Sequence, residues 1–125
     1  MTAEDPLLGM PRNFLRPCVL LLLGEAPSHG YDLLEQLRAL GLEHVDPGGL
    51  YRGMRAMEQE GLVRSSWEPS DAGPPRRTYE LTDEGREWLH AWAGALRDVR
   101  RMLGRFLDRY EALSDLAGSR PGARR

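Results

Sequence analysis

Arginine supplies all 17 of the lysine-plus-arginine positions in this 125-residue chain, and two short segments place arginines where they could bind an anion. Arg52 and Arg55 follow a pair of glycines, and Arg76 and Arg77 follow a run rich in proline and glycine. A guanidinium donates paired hydrogen bonds to a phosphate or to the major-groove edge of guanine. Both segments are therefore candidates for nucleic-acid contact, although the net charge of −2 mildly disfavours that function.

The first segment, DPGGLYRGMRAMEQEGLV at 46–63, predicts a helix with an unusual first turn. Asp46 is a good N-cap, and Pro47 falls at the first helical position, where its missing N–H costs nothing. Gly48 and Gly49 would let the backbone approach a phosphate closely and offer it free N–H groups. The alternative is that these glycines are tolerated there because the packing is tight.

Three side chains of this helix are the main candidates for reading a nucleic acid. Arg52 could bind guanine or a phosphate, and Arg55 lies on the same polar side of the helix. Tyr51 could donate to a phosphate or pack against the preceding helix. The alternative for the arginines is a solvated helix face.

The residues that usually perform catalysis or bind metals are scattered. His29, His44 and His90 form no His-x-x-x-His spacing, and Cys18 stands alone in an apolar run. No nucleophile elbow or phosphate-binding loop occurs in the sequence. We therefore expect neither an enzyme nor a metal site, and no cofactor.

Hydrophobic periodicity and turn signals define the elements that would position these side chains. We expect a mainly α fold, a winged helix-turn-helix of three helices plus a two-stranded wing, followed by a long C-terminal dimerisation helix. The predicted boundaries are a flexible N-terminal arm at 1–11, the winged helix-turn-helix DNA-binding domain at 12–82, the C-terminal helix at 83–116 and a disordered tail at 117–125. Within the domain, the second helix is expected to start at a Ser28 N-cap, and Pro17 to kink or restart the first. The longest apolar run is too short to span a membrane and no signal peptide is visible, which favours a cytoplasmic protein without a membrane partner.

In a winged helix-turn-helix the third helix enters the major groove of double-stranded DNA and the wing touches the flanking backbone. Strand alternation sends Arg77 and Tyr79 to one face of the second wing strand and Arg76 to the other. We expect one of the two arginines to contact DNA; the alternative is a solubilising edge strand.

The last helix carries an apolar seam at steps of three and four residues, which suits pairing with another helix. Its members are Leu89, Trp92, Leu96, Val99, Leu103, Phe106 and Tyr110, with Leu113 continuing the pattern. Left exposed on a single helix, such a seam would cause aggregation, so we expect it to pack against a partner surface.

Three motifs in order resemble the PadR family of bacterial transcriptional regulators. HGYDLLEQL is similar to its second helix, DPGGLYRGMRAMEQEGLV to its recognition helix, and RRTYELTDEG to its second wing strand and the entry into its last helix. The resemblance covers residues 12–96 and implies the short subfamily with one C-terminal helix. It implies a homodimeric repressor whose subunits each read one half of a palindromic operator.

A small-molecule effector is a further candidate partner, with Trp88, Trp92 and Leu96 as the candidate effector-binding residues. The alternative for the tryptophans is core packing, which is their commoner role. Multidrug-binding relatives carry a tryptophan at the position of Leu96, and this departure counts against drug binding. A winged-helix module that binds proteins and not DNA is the second functional class, favoured by the negative net charge.

Overall fold

The computed structural model describes residues 14–69 and 71–118. The predicted arm at 1–11 and residues 119–125 of the predicted tail lie outside the described residues. The chain divides into two compact units, Met1–His90 and Ala91–Arg125.

The described residues form four helices and three strands, and their order confirms the predicted winged helix followed by a long helix. The elements are α1 Leu15–Glu25, β1 Ser28–His29, α2 Gly30–Leu40, α3 Pro47–Gln59, β2 Val63–Glu68, β3 Arg76–Leu81 and α4 Asp83–Gly118. Pro17 does not restart the first helix. It lies in the first turn of α1, where proline is readily accommodated, and α1 continues unbroken to Glu25.

The sheet has a third strand that the sequence did not indicate. Its order is β1-β3-β2, with all pairs antiparallel, and Ser28 faces Tyr79 while His29 faces Thr78. The expectation that Ser28 caps the second helix is therefore wrong. The helix begins at Gly30, and the N-cap residue His29 makes no side-chain capping bond.

The hydrophobic core of the first unit draws on α1, α2, α3, β2 and β3. Its fully buried larger side chains are Val19, Leu20, Leu33, Leu37, Leu50, Met54, Met57 and Val63. Cys18 is also buried, and burial raises the pKa of its thiol. Such a thiol is a poor nucleophile because the thiolate form is disfavoured.

The end of α3 is joined to the start of α4 by hydrogen bonds that centre on Thr82. Its hydroxyl donates to the Gly61 carbonyl at 2.6 Å and accepts from the Gly85 N–H at 3.0 Å. Gly61 has a φ of +82°, which glycine adopts without strain. A Cβ on Gly85 would lie 2.1 Å from the Leu62 carbonyl oxygen, so this position requires glycine. The spacing Thr-x-x-Gly is thus explained by the close backbone approach at this junction.

Candidate nucleic-acid interface

A groove of about 620 Å³ lies between the start of α2, the exposed side of α3, and the wing, by which we mean β2 and β3. We call it the recognition groove. It is lined by His29, Gly30, Tyr31, Asp32, Tyr51, Arg55, Glu58, Trp67, Arg76, Arg77 and Tyr79. Of the seven predicted DNA-binding residues, Tyr51, Arg55, Arg76 and Arg77 line it, whereas Gly48, Gly49 and Arg52 do not.

The first turn of α3 shows one structural reason for its glycines. The Asp46 carboxylate accepts from the Gly49 N–H at 3.4 Å and so turns toward the helix. A Cβ on Gly49 would lie 2.9 Å from Asp46 Oδ1, and one on Gly48 would lie 3.2 Å from Arg52 Nη1. Tight packing around the cap therefore favours glycine at position 49, whereas at position 48 the exposed Arg52 side chain could move aside.

Arg52 and Arg55 are exposed on α3, away from the stripe formed by Leu50, Met54 and Met57 that enters the core. Neither arginine forms an ion pair with another residue in the described part of the chain. Both guanidiniums are therefore available to an external anion.

Tyr51 packs against the start of α2, which is one of the two roles predicted for it. A Cβ on Gly30 would lie 2.7 Å from Tyr51 Cε1, so Gly30 makes room for the ring. Tyr51 remains 44% exposed and lines the recognition groove. Gly30 thus allows the Tyr51 ring of α3 to approach α2.

The two wing arginines have different surroundings. Arg76 is exposed, faces Glu68 across the strands, and forms no ion pair with a described residue. Arg77 Nη2 lies 3.6 Å from Oε1 of Glu58, which belongs to α3. Alternation along β3 places Arg77 on the face of the buried Tyr79, as the strand pattern predicts. Burial is the main cause that raises the pKa of Tyr79.

Seven of the residues that line the groove were not predicted as site residues, and two of them, His29 and Glu58, contact β3. His29 Nδ1 lies 3.4 Å from the Arg77 carbonyl oxygen and 3.3 Å from Thr78 Oγ1, so its ring joins β1 to β3. Glu58 contacts Arg77 from α3. No local signal in the sequence indicated β1, because two residues carry no periodicity of their own. Nothing local indicated the partner of Glu58, because the two side chains are far apart in sequence.

The predicted dimerisation residues differ in burial. Leu89 packs against the core of the first unit, and Trp92 and Leu96 are half-buried. Further along α4, large apolar side chains are exposed. They are Val99, Met102, Leu103, Phe106, Leu107, Tyr110, Leu113 and Leu116.

The candidate effector-binding residues belong to different units. Trp88 is in the first unit, where it packs against the core, and the Arg16 guanidinium carbon lies 5.8 Å from its ring centroid. Trp92 and Leu96 belong to the second unit. Within residues 14–69 and 71–118, no group of three or more His, Cys, Asp or Glu side chains is arranged to hold a metal ion. None of the helices described is both long enough and apolar enough to cross a bilayer.

Comparison with known proteins identifies the fold. The chain is similar to a PadR-like transcriptional regulator from Bacillus cereus strain ATCC 14579, with 27% identity and a TM-score of 0.71 over 77% of this chain and 93% of that one. It is similar to a PadR family transcriptional regulator from Eggerthella lenta DSM 2243, with 29% identity and a TM-score of 0.64 over 86% and 97% of the two chains. A Streptococcus transcriptional regulator matches at 27% identity and a TM-score of 0.67, over 74% and 90% of the two chains.

A comparison with curated proteins returned no match. The model of the transcriptional regulator PadR-like family matches residues 19–91, which include α2, α3, the wing and the start of α4. This range contains the recognition groove and the Thr82 junction. The chain therefore belongs to the PadR-like family of transcriptional regulators, which are not enzymes.

Proposed function

We propose that this protein binds double-stranded DNA through α3 and the wing. The observation that carries the proposal is that Arg55 and Arg76 line the recognition groove with exposed guanidiniums that form no ion pair with a described residue. Arg38 and Arg86 are likewise exposed and without an ion pair to a described residue, but they do not line the groove. Arg52, Arg55 and Arg76 present exposed guanidiniums without an ion pair to a described residue, whereas Arg16 and Arg64 are paired with Glu60 and Glu80. An unpaired surface cation is a strong phosphate ligand because it gives up no existing partner.

The proposed arrangement places α3 in the major groove. Arg52 and Arg55 contact base edges or phosphates there, and the first turn at Gly48 and Gly49 approaches the backbone. The Tyr51 hydroxyl is a further donor from the rim of the groove. Arg76, on the wing, contacts the flanking backbone.

We further propose that the DNA-binding form is a homodimer and that it acts as a repressor. The exposed apolar side chains from Val99 to Leu116 support pairing, because a row of this length is an aggregation hazard unless another surface covers it. Two copies would each read one half-site of a palindrome, spaced by about one helical turn or a multiple of it. Bound across a promoter in the cytoplasm, the dimer would exclude the transcription machinery.

An effector would act by binding better to one arrangement of the two DNA-reading heads than to another. Trp88, Trp92 and Leu96 are the residues we propose for it. Their partial burial is equally what core packing would give.

Mobility-shift titrations across a salt series test DNA binding. The probe is the duplex that the purified protein selects from a pool of random sequences. We expect the selected sequence to be a palindrome. Arg52→Ala, Arg55→Ala and Arg76→Ala should each weaken binding, and a variant that loses a phosphate contact should lower the salt slope by about one. Arg97→Ala, an equal charge change on α4, is the control and should leave the slope unchanged.

The second candidate function is a protein-interaction module, favoured by the net charge of −2. It predicts that no duplex is enriched from the pool and that the arginine substitutions have no effect on DNA retention. That combination of results would reject the DNA-binding proposal.

A further inference from the structure

Arg77 is the centre of a side-chain network that joins the wing to α3. Its Nε donates to Ser65 Oγ at 3.0 Å, and its Nη2 lies 3.6 Å from Glu58 Oε1. The Ser65 hydroxyl donates in turn to the other carboxylate oxygen, Glu58 Oε2, at 2.7 Å. The three side chains close a triangle between β3, β2 and α3, so each holds the other two in place.

Two aromatic rings also contact the guanidinium. Its central carbon lies 5.5 Å from the centroid of Trp67, the cross-strand neighbour of Arg77, and 5.9 Å from that of Tyr79. Both distances are within the range of cation–π attraction. The backbone carbonyl of the same residue lies 3.4 Å from His29 Nδ1. Arg77 therefore has contacts on all three strands and on α3.

We infer that Arg77 is a positioning residue, which fixes the wing against the recognition helix α3 through Glu58 and does not supply a phosphate contact. This inference rests on the proposed DNA binding. If the wing moved relative to α3, the separation of Arg76 and Arg55 would vary. Binding to DNA would then have to remove that conformational freedom, which costs free energy. Holding the wing in advance raises affinity without a new contact to the DNA.

The chain offers a matched comparison in Arg76. It is adjacent in sequence, carries the same charge, lies on the other face of β3, and has no ion pair with a described residue. A phosphate contact and a positioning role differ in their salt dependence. Loss of a phosphate contact lowers the slope of binding against salt by about one, whereas loss of positioning weakens binding at every salt concentration.

The test uses Arg76→Met, Arg77→Met, Glu58→Gln and the double variant Glu58→Gln/Arg77→Met with the selected duplex. We expect Arg76→Met to lower the slope by about one. Arg77→Met should weaken binding by about tenfold with the slope unchanged, a size typical of coupling within one hydrogen-bonded network. Glu58→Gln should also weaken binding, and the double variant should bind no more weakly than Arg77→Met alone.

The direction in which Glu58→Gln changes the affinity for DNA distinguishes the two roles of Arg77. If Arg77 bound a phosphate, removing the nearby carboxylate would strengthen binding to DNA. Stronger binding by Glu58→Gln, or a slope lowered by about one in Arg77→Met, would overturn the inference.

A measurement without DNA separates this inference from the proposed function. In the NMR spectrum of the free protein, we expect the Arg77 Nε–H to exchange with solvent more slowly than that of Arg76, and Glu58→Gln to remove the difference. Equal exchange rates of the Arg76 and Arg77 Nε–H groups in the unmodified protein would refute the positioning role of Arg77. Slow Arg77 exchange in a protein that binds no duplex would refute the DNA-binding proposal and leave the attachment of the wing intact.

Discussion

At the scale of single residues, Gly85 is the described glycine at which an added Cβ would lie closest to another atom. A Cβ there would lie 2.1 Å from the backbone oxygen of Leu62, which cannot rotate away as a side chain can. We expect Gly85→Ala to lower the free energy of unfolding by about 2–3 kcal/mol, the upper range for overpacking. Urea denaturation measures the change.

Gly94→Ala is the control for that substitution, since it lies in the same helix. A Cβ on Gly94 has no described atom within 4 Å. The alanine should stabilise the protein by about 0.5–1 kcal/mol, because glycine is a poor helix former. Equal effects of the two substitutions would contradict the role assigned to Gly85.

A second prediction at this scale concerns pH. Arg16 donates two hydrogen bonds to Glu60, and these lower the pKa of the Glu60 carboxyl below its usual 4.5. A group whose pKa is lower in the folded state stabilises that state above its unfolded pKa, and the stabilisation is lost as the pH falls through the folded value. Glu60→Gln should therefore reduce the urea midpoint more at about pH 7 than at about pH 3.

Glu111→Gln is the control, because that carboxylate is exposed on α4. It should leave the urea midpoint close to that of the unmodified protein at both pH values. A Glu60→Gln effect of equal size at both pH values would show that the ion pair is not its cause.

At the scale of elements, the junction between α3 and α4 depends on one hydroxyl. Thr82 both caps α4 and holds the carbonyl at the end of α3. Thr82→Val keeps the shape and removes both bonds, so we expect a loss of about 1–2 kcal/mol of stability. Thr82→Ser keeps the hydroxyl and should lose much less. Thermal unfolding of both variants makes the comparison, and similar losses would show that the methyl group matters and the hydroxyl does not.

The long elements were predictable from the sequence because their signals are local. Each of three signals can be recognised from adjacent residues. They are the Asp46-Pro47 start of α3, the turn-rich run before β3 and the acidic first turn of α4. The two-residue strand β1 was not predictable. It exists because Ser28 and His29 meet β3, about 50 residues further along the chain, and two residues carry no periodicity of their own.

The candidate site was predictable in part for the same reason. The pattern singled out Arg76 and Arg77 as a pair, but it could not distinguish them. Their difference arises from tertiary contacts, since Glu58 and Ser65 reach Arg77 from other elements. Likewise the sequence offered two roles for Tyr51, and it could not show that Gly30 makes room for its ring against α2.

At the scale of the whole molecule, the exposed side chains of α4 lead to a prediction about assembly. Phe106 is 65% exposed and central to the apolar row. If two copies pair through this row, Phe106→Glu would bury an unpaired carboxylate at a cost of about 3 kcal/mol. Because each subunit carries the substitution, we expect the dimer dissociation constant to rise by at least about 100-fold, measured by analytical ultracentrifugation, and DNA binding to weaken with it.

Arg97→Glu introduces the same carboxylate on the other side of α4 and should leave assembly unchanged. An unmodified protein that sediments as a monomer at micromolar concentration would refute the homodimer. It would also remove the reason to expect a palindromic operator.

The side chains proposed to contact DNA share one chemical property with a physiological consequence. Arg52, Arg55 and Arg76 are guanidiniums, and the chain contains no lysine. A guanidinium keeps its charge up to a pH above about 12 and is not a substrate for acetylation of the kind that neutralises lysine. If these side chains contact DNA as proposed, neither the cell's acetyl-donor supply nor its internal pH would remove the positive charge of these three contacts, whereas ionic strength would weaken them.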